Sequence, residues 1–452
     1  PGPSKIGDGI TLLVIWFLFR GGLYAEGVTS QSPGSTRSGA PWDLRADIRI
    51  PRRDSPSKVV FAVIDSNVIL VARLRIRRFS FVYEETRMSL TFGKVFQPFI
   101  EQRPIAVMAR GVLENLLNPE RIDDLFERTA EVQYTRELMF SSVVDLMGQV
   151  VLGVQPSVHA AYQAQAEKLG VSDQAVYDKL NHVELAVSSE LVRDSARQAA
   201  PVIAALRAKV PPLVQGYRTR ILDGNHLSAT EHRIEELRTT WAAPLPGKLL
   251  VLLDQELMVA SDVFLCEDGH AQERSLLDEV LSSVGRKELW IADRNFCTID
   301  FMIGIASRSS RFVIRQHGTL KGELIGTRQA KGKTSTGKVY EQKLRITDTS
   351  GKTLTLRRVT VKLKEATRDG DTEIHLLTNL PLKDASAAKV AQLYGKRWTI
   401  ETMFQELTET LTCEVNALGY PKAALFGFCL AVMAYHAVSV IKAALRAVHG
   451  PE

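Results

Sequence analysis

The chain has 452 residues, 45% hydrophobic and 24% charged, which is the balance of an ordinary globular protein of two or three domains and not of a low-complexity one. Its formal net charge of +6 invites a nucleic acid, but residues 1–87 alone hold 13 Lys/Arg against 8 Asp/Glu, so the remainder is nearly neutral and any basic surface must be local. Cys266, Cys297, Cys413 and Cys429 show no CxxC spacing, which excludes a cysteine zinc site and a disulfide framework and leaves reduced, mostly buried thiols as the expectation.

Residues 1–87 change character every fifteen residues or so: an apolar run from Ile10 to Phe19, a Ser/Gly/Pro stretch, then the arginine-rich "RLRIRRF" from Arg73 to Phe79. They read as an irregular upstream extension, with Met88 as the natural start; a signal peptide or a basic DNA-binding arm is the rival reading. From Leu90 to about Val210 the pattern is helical, and residues 88–212 form a first domain. Asn118 before Pro119 is a helix start. Gln165 to Glu184 has the cadence of a helix-turn-helix: one helix stops at Gly170, Ser172 caps the next, and Ala175, Val176 and Leu180 face inward. DNA recognition and plain bundle packing explain it equally well.

Residues 213–317 alternate strands with helices: "YRTRILDG", a hairpin of "GKLLVLLDQEL" and "MVASDVFLCED", the helix "AQERSLLDEVLSSVG", the strand "ELWIADRNF", a second helix, and "RFVIRQH". This predicts an α/β sheet covered by helices. Residues 318–371 are polar and alternating, an antiparallel β-rich insertion. From Arg311 to Lys364 the count is 14 Lys/Arg against 3 Asp/Glu, and so one-sided a balance favours a polyanion over a merely solvated sheet face. Residues 372–452 return to a buried strand and helices. The apolar stretch Ala423 to Ala444 approaches membrane-spanning length but carries His436 and Lys442, so it reads as a buried core helix and no membrane partner is expected.

Asp223 and Asp293 each stand where an apolar run stops, in "RILDGN" and "WIADRN". Alone, either is a turn residue more often than not. On neighbouring strands about 4.8 Å apart they would meet at one point, which Glu401 would reach from a packed helix. Read as one helix, Tyr394 to Leu411 puts Tyr394, Arg397, Glu401 and Thr408 within roughly a 60° arc. Three carboxylates without His or Cys suit Mg²⁺, with Mn²⁺ as a substitute, better than zinc. Two such ions would serve phosphodiester chemistry. Tyr394, Arg397, Lys396 and Arg294 would then hold phosphates, while Arg357, Arg358, Lys362 and Lys364 of the basic insertion would bind DNA. His226, three residues beyond Asp223, reads as a loop residue.

An Asp ending a first strand, "ADRNF" ending a later one, then "YGKRWTIE", resemble a DDE transposase of bacterial insertion sequences; Tyr-x2-Arg-x3-Glu is similar to the Y-R-E-K signature of the insertion-sequence-four group. The resemblance covers about residues 90–445. It implies a ribonuclease H-like mixed sheet interrupted by a β-rich insertion, catalysis and metal binding by Asp223, Asp293 and Glu401, and two Mg²⁺ ions. It also implies double-stranded DNA as partner (terminal inverted repeats and target), a homodimer on DNA, and a cytoplasmic, nucleoid-associated protein. The signature's lysine falls at Thr408, which puts strand transfer in doubt. A non-catalytic DNA-binding descendant and a standalone nuclease of the same fold are the alternatives.

Overall fold

The computed structural model of the chain describes residues 60–64, 67–71, 102, 104–135, 137–227, 247–269, 271–367, 370–415, 418 and 420–450. Contacts divide the chain into two units, residues 1–111 and 112–452. In the first, β1 (Val60–Ile64) and β2 (Asn67–Val71), rich in β-branched residues, pair antiparallel from Val60↔Val71 to Ile64↔Asn67. The apolar run Ile10 to Phe19, Met88 and the arginines from Arg73 to Phe79 lie outside the described residues. Helix α1 spans Pro104–Leu116.

Local chemistry sets the helical ends of the second unit. α2 (Pro119–Thr129) starts where the Asn118 side chain accepts from the Arg121 amide at 3.1 Å, with Pro119 in the first turn. After α3 (Phe140–Val151), α4 (Val158–Leu169) ends at Gly170, whose φ of 67° is a left-handed cap. Ser172 then caps α5 (Asp173–Asn181) through the Ala175 amide, 3.3 Å away, and Val176 and Leu180 are buried as expected, whereas Ala175 is only partly so. α6 (Leu185–Ala205) packs against α11 (Pro421–His449).

Helix α11 is long and apolar enough, by length and composition, to cross a membrane, and 94% of its most apolar window is buried inside the protein. His436 and Lys442, the two groups that argue against a membrane span, have partners within the fold. His436 Nδ1 shares a 2.8 Å hydrogen bond with Ser195 on α6, and Lys442 pairs with Glu406 at 2.6 Å. Phe426 meets Phe140, which stacks on Phe126 at 4.5 Å, so the apolar length of α11 is the centre of the helical layer.

The strands are β3 (Arg218–His226), β4 (Lys248–Asp254), β5 (Val259–Cys266), β6 (Glu288–Ala292), β7 (Arg311–Arg315), β8 (Glu323–Lys333), β9 (Gly337–Thr347), β10 (Thr353–Leu363) and β11 (Glu373–Thr378). They form one nine-stranded sheet in the order β5-β4-β3-β6-β7-β11-β10-β9-β8. The β3–β6 and β6–β7 pairs are parallel and the other six antiparallel. The polar stretch after Gly318 is therefore not set apart from the α/β sheet: its strands continue it through β11. His226 is the last residue of β3 and not in a loop. The short helix α7 (Leu277–Ser282) and α8 (Ile299–Ser307) cover one face, where Trp290, Phe301, Phe312 and Phe264 form the core.

Register at the sheet centre is pinned by charge. Arg220 on β3 donates to Asp254 at the end of β4 (3.1 Å), to Glu288 at the start of β6 (3.0 Å) and to the Ser261 hydroxyl of β5 (2.8 Å). Asp254 is 0% and Glu288 5% exposed. A one-residue slip would leave Glu288 buried without its cation and would disturb Asp254, which Arg218 grips as well as Arg220, and such losses are expensive. Arg220→Ala is therefore expected to cost about 3–5 kcal/mol, the usual cost of stripping one partner from a buried ion pair. Urea unfolding checks this; a loss below about 1 kcal/mol, the size of an exposed pair, would show the network to be solvated.

Candidate active site

β3 and β6 run parallel with Leu222 opposite Ala292, both completely buried, and the next residue on each strand is an aspartate. Asp223 and Asp293 thus stand side by side where the β3–β6 pairing ends, Asp223 within β3, which runs on against β4 to His226, and Asp293 just past β6. Asp293 stands immediately beyond β6 as the residue preceding a short 3₁₀ turn, Arg294–Phe296, and Asp223 accepts from the Gly224 amide at 3.0 Å. A Cβ at Gly224 would meet the Glu273 carboxylate, so a larger residue there would displace that side chain.

The third carboxylate arrives on α10. The expected continuous helix from Tyr394 to Leu411 is instead two: α9 (Ala387–Gly395) and α10 (Trp398–Thr410). Between them the backbone tightens into i→i−3 hydrogen bonds, with Lys396, Arg397, Thr399 and Ile400 donating to Leu393, Tyr394, Lys396 and Arg397 respectively. Residue-by-residue propensity does not show this break, since most of the flanking residues are good helix formers; Gly395 is the one local hint. The joint changes the angular spacing of the stripe but keeps its members together. The Tyr394 hydroxyl donates to Asp293 Oδ1 at 3.0 Å. Arg397 Nη1 reaches Asp223 Oδ2 at 2.7 Å, and its Nη2 reaches Glu401 Oε1 at 2.5 Å.

Burial governs the electrostatics. It pushes the Asp223 carboxyl up to about 7; Arg397 opposes the shift, and the negative charges of Asp293 and Glu401 add to it. The Tyr394 phenol is likewise raised, by burial first and by Asp293 second. Burial works against the Arg397 charge, yet Asp223, Tyr394, Glu401 and Asp293 together hold it above the usual arginine value. Asp223 and Glu401 therefore share one half-buried guanidinium, while Asp293 is held by Tyr394 and acts on Arg397 through its charge alone.

As a donor set these carboxylates fit a hard divalent cation, which takes oxygen ligands and keeps positions for water and phosphate. The place between Asp223 and Glu401 is held by Arg397, and among the described residues no group of three His, Cys, Asp or Glu side chains is drawn together as ligands of one ion. Closing a cation site here requires the guanidinium to leave.

The remaining residues singled out in the sequence separate into two kinds. Lys396 is exposed beside the joint, and Arg294, next to Asp293, lies 4.0 Å from Asp371. Arg357 is turned inward: it grips Glu341 with two 3.0 Å bonds and donates to the Leu380 and Ala385 carbonyls. Arg358 donates to Gln316 at 2.6 Å, and burial lowers its pKa from the usual arginine value. Lys362 and Lys364 are exposed. They line an open cleft of about 760 Å³ with Lys333, Lys338, Tyr340 and Gln392. Lys333, Lys338 and Lys362 face one another across three adjacent strands, a like-charge row that destabilises a sheet unless an anion covers it. The charge count located this module; the pairing register, which selects the outward cations, is not in that count. Thr408, at the place of the signature lysine, donates its hydroxyl to the Phe404 carbonyl at 3.0 Å.

Residues 215–435, just under half of the chain, match the family model described as a transposase DDE domain, a span that contains Asp223, Asp293 and Glu401. The match supports a DDE transposase family and thereby an enzyme acting on DNA. No curated protein matches the chain.

Proposed function

We propose that this chain is a transposase that cuts DNA at the ends of an insertion sequence of the insertion-sequence-four group and joins the 3′-hydroxyls to target DNA. The observation that carries the proposal is the convergence of Asp223, Asp293 and Glu401 on the turn containing Arg397, through the parallel register of β3 and β6. The order β5-β4-β3-β6-β7, antiparallel in its first three strands and parallel thereafter, supports a ribonuclease H-like reading of the sheet. The Tyr394–Arg397–Glu401 spacing supports the group.

In this mechanism Asp223, Asp293 and Glu401 would hold two Mg²⁺ ions, with Mn²⁺ able to substitute. When bound, these ions supply activation of the attacking hydroxyl and neutralisation of charge on the leaving oxygen. Tyr394 fixes Asp293 in place through its 3.0 Å hydrogen bond. Arg397, with its neighbour Lys396 and with Arg294, which follows Asp293, binds the phosphates flanking the scissile one. The lysine cleft carries the duplex, and Arg357 serves the fold of the module by tying β10 to Glu341 and to the chain before α9. Helices α4 and α5 are the helix-turn-helix candidates for end recognition, with the protein acting as a homodimer at the nucleoid. A second reading, a nuclease that cuts without joining, is favoured by Thr408, which places no cation on the stripe.

The test is cleavage and joining on double-stranded DNA carrying the inverted repeats that flank the reading frame. Asp223→Asn, Asp293→Asn and Glu401→Gln are each expected to abolish cleavage and to retain binding in a mobility-shift assay. Cleavage that survives in any of the three overturns the site. Wild-type protein that cuts but yields no joined product establishes the nuclease reading.

The cleft makes a separate prediction. Replacing Lys333, Lys338, Lys362 and Lys364 by Gln is expected to flatten the plot of log K against log salt by about 0.9 for each phosphate that the protein no longer neutralises. An unchanged slope, with folding intact, would show that the row does not touch DNA.

A further inference from the structure

We propose that Arg397 has two working positions: without divalent metal it stands in for the cation between Asp223 and Glu401, and metal binding releases it to a substrate phosphate. This rests on the active-site reading above and adds a coupling between metal and DNA that the reading does not contain.

Three observations carry it. Both Nη groups of Arg397 are committed to carboxylates, at 2.7 and 2.5 Å, so in this position the side chain offers a phosphate no free fork. Its Nε, by contrast, is buried and has no hydrogen-bond partner. An unpaired buried N–H is costly, so the inward position is incompletely satisfied. A phosphate gripped through Nε and one Nη would satisfy that donor, and such a grip is open only to a guanidinium that has let go of an acid.

The second position also has a surface. The guanidinium lies 5.4 Å from the centroid of the Trp398 ring, and Trp398 is 63% exposed, a large aromatic facing solvent next to the site. A cation over that face keeps a favourable contact as it moves outward. Arg397 sits in the tightened, hydrogen-bonded joint between α9 and α10 with helical backbone angles, φ −54° and ψ −34°, so the change of position is one of side-chain rotamers alone. A divalent ion among the three carboxylates replaces the guanidinium's role and repels it. Binding free energies are reciprocal, so metal raises the affinity for phosphate by the same factor as phosphate raises the affinity for metal.

Arg397 is in this sense a competitor for its own metal site, which is testable without turnover. The measurement is Mn²⁺ binding at pH 8 to the full chain without DNA, followed by the electron paramagnetic resonance of free Mn²⁺, for wild type, Arg397→Gln, Arg397→Lys and Asp223→Asn. Arg397→Gln is expected to bind Mn²⁺ at least about fivefold more tightly than wild type, within the usual range of coupling between sites. Arg397→Lys, whose single ammonium lacks the two-armed fork, falls between them. Mg²⁺ titration of wild type should also change tryptophan emission, a change absent in Trp398→Phe and in Arg397→Gln. Equal or weaker Mn²⁺ binding by Arg397→Gln overturns the proposal while leaving the metal site intact, provided wild type binds Mn²⁺ and Asp223→Asn does not. Wild type and Asp223→Asn binding alike would remove the active-site reading as well. Should Arg397→Gln not fold, Arg397→Lys decides: tighter binding than wild type supports the two positions, and equal or weaker binding refutes them.

Discussion

The parallel pairing of β3 with β6 is the constraint on which the rest depends. Side chains alternate across a strand, so a shift of one residue would turn Asp223 or Asp293 to the opposite face of the sheet. The register is held where slippage costs most, by Arg220 between Asp254 and Glu288, one or two turns of the pleat below the aspartates. A buried ion network distant from any substrate thus fixes two carboxylates at the sheet's end. Helix α10 approaches β3 and brings the Glu401 carboxylate to that point, and the joint before it brings the Arg397 guanidinium.

Much of this was legible in the sequence, for reasons that can be named. An apolar run that stops at an acid marks the end of β6 at Asp293, whereas β3 runs three residues past Asp223, to His226, because it stays paired with β4. Ser172, Gly170 and Asn118 announce helix ends because each solves a local backbone problem. What was not legible is non-local. The break between Gly395 and Trp398 runs through residues that favour helix, and the contact that accompanies it, Arg397 to Asp223, joins positions 174 residues apart. The continuation of the sheet into the basic strands was hidden for the same reason. Alternation shows that a strand exists but not which edge it joins.

The basic module shows how composition and structure divide the work of recognition. A count of charges sees fourteen cations between Arg311 and Lys364 and treats them alike. The fold does not. Arginines whose planar forks match a carboxylate or a pair of carbonyls, as Arg357 matches Glu341 and the chain before α9, are used as internal ties. Lysines, compact charges on flexible stems, are left facing outward in the cleft. The residue type most often associated with phosphate is here partly a structural element, and the surface cations are the other kind.

Strand β11 lies between β7 and β10, and this position has a consequence for how the molecule is made. A chain emerging from the ribosome in order presents β3, β6 and β7 first and then the three basic strands, while β11, which must join the two groups, follows the last of them. Until it arrives the edge of β7 is uncovered, and an open edge in a partly folded chain is where misassembly begins. Arg397 is synthesised later still. During that interval two adjacent aspartates stand at the end of the sheet without the guanidinium that later neutralises one of them, so the nascent chain meets the cations of the surrounding solution before it meets its own.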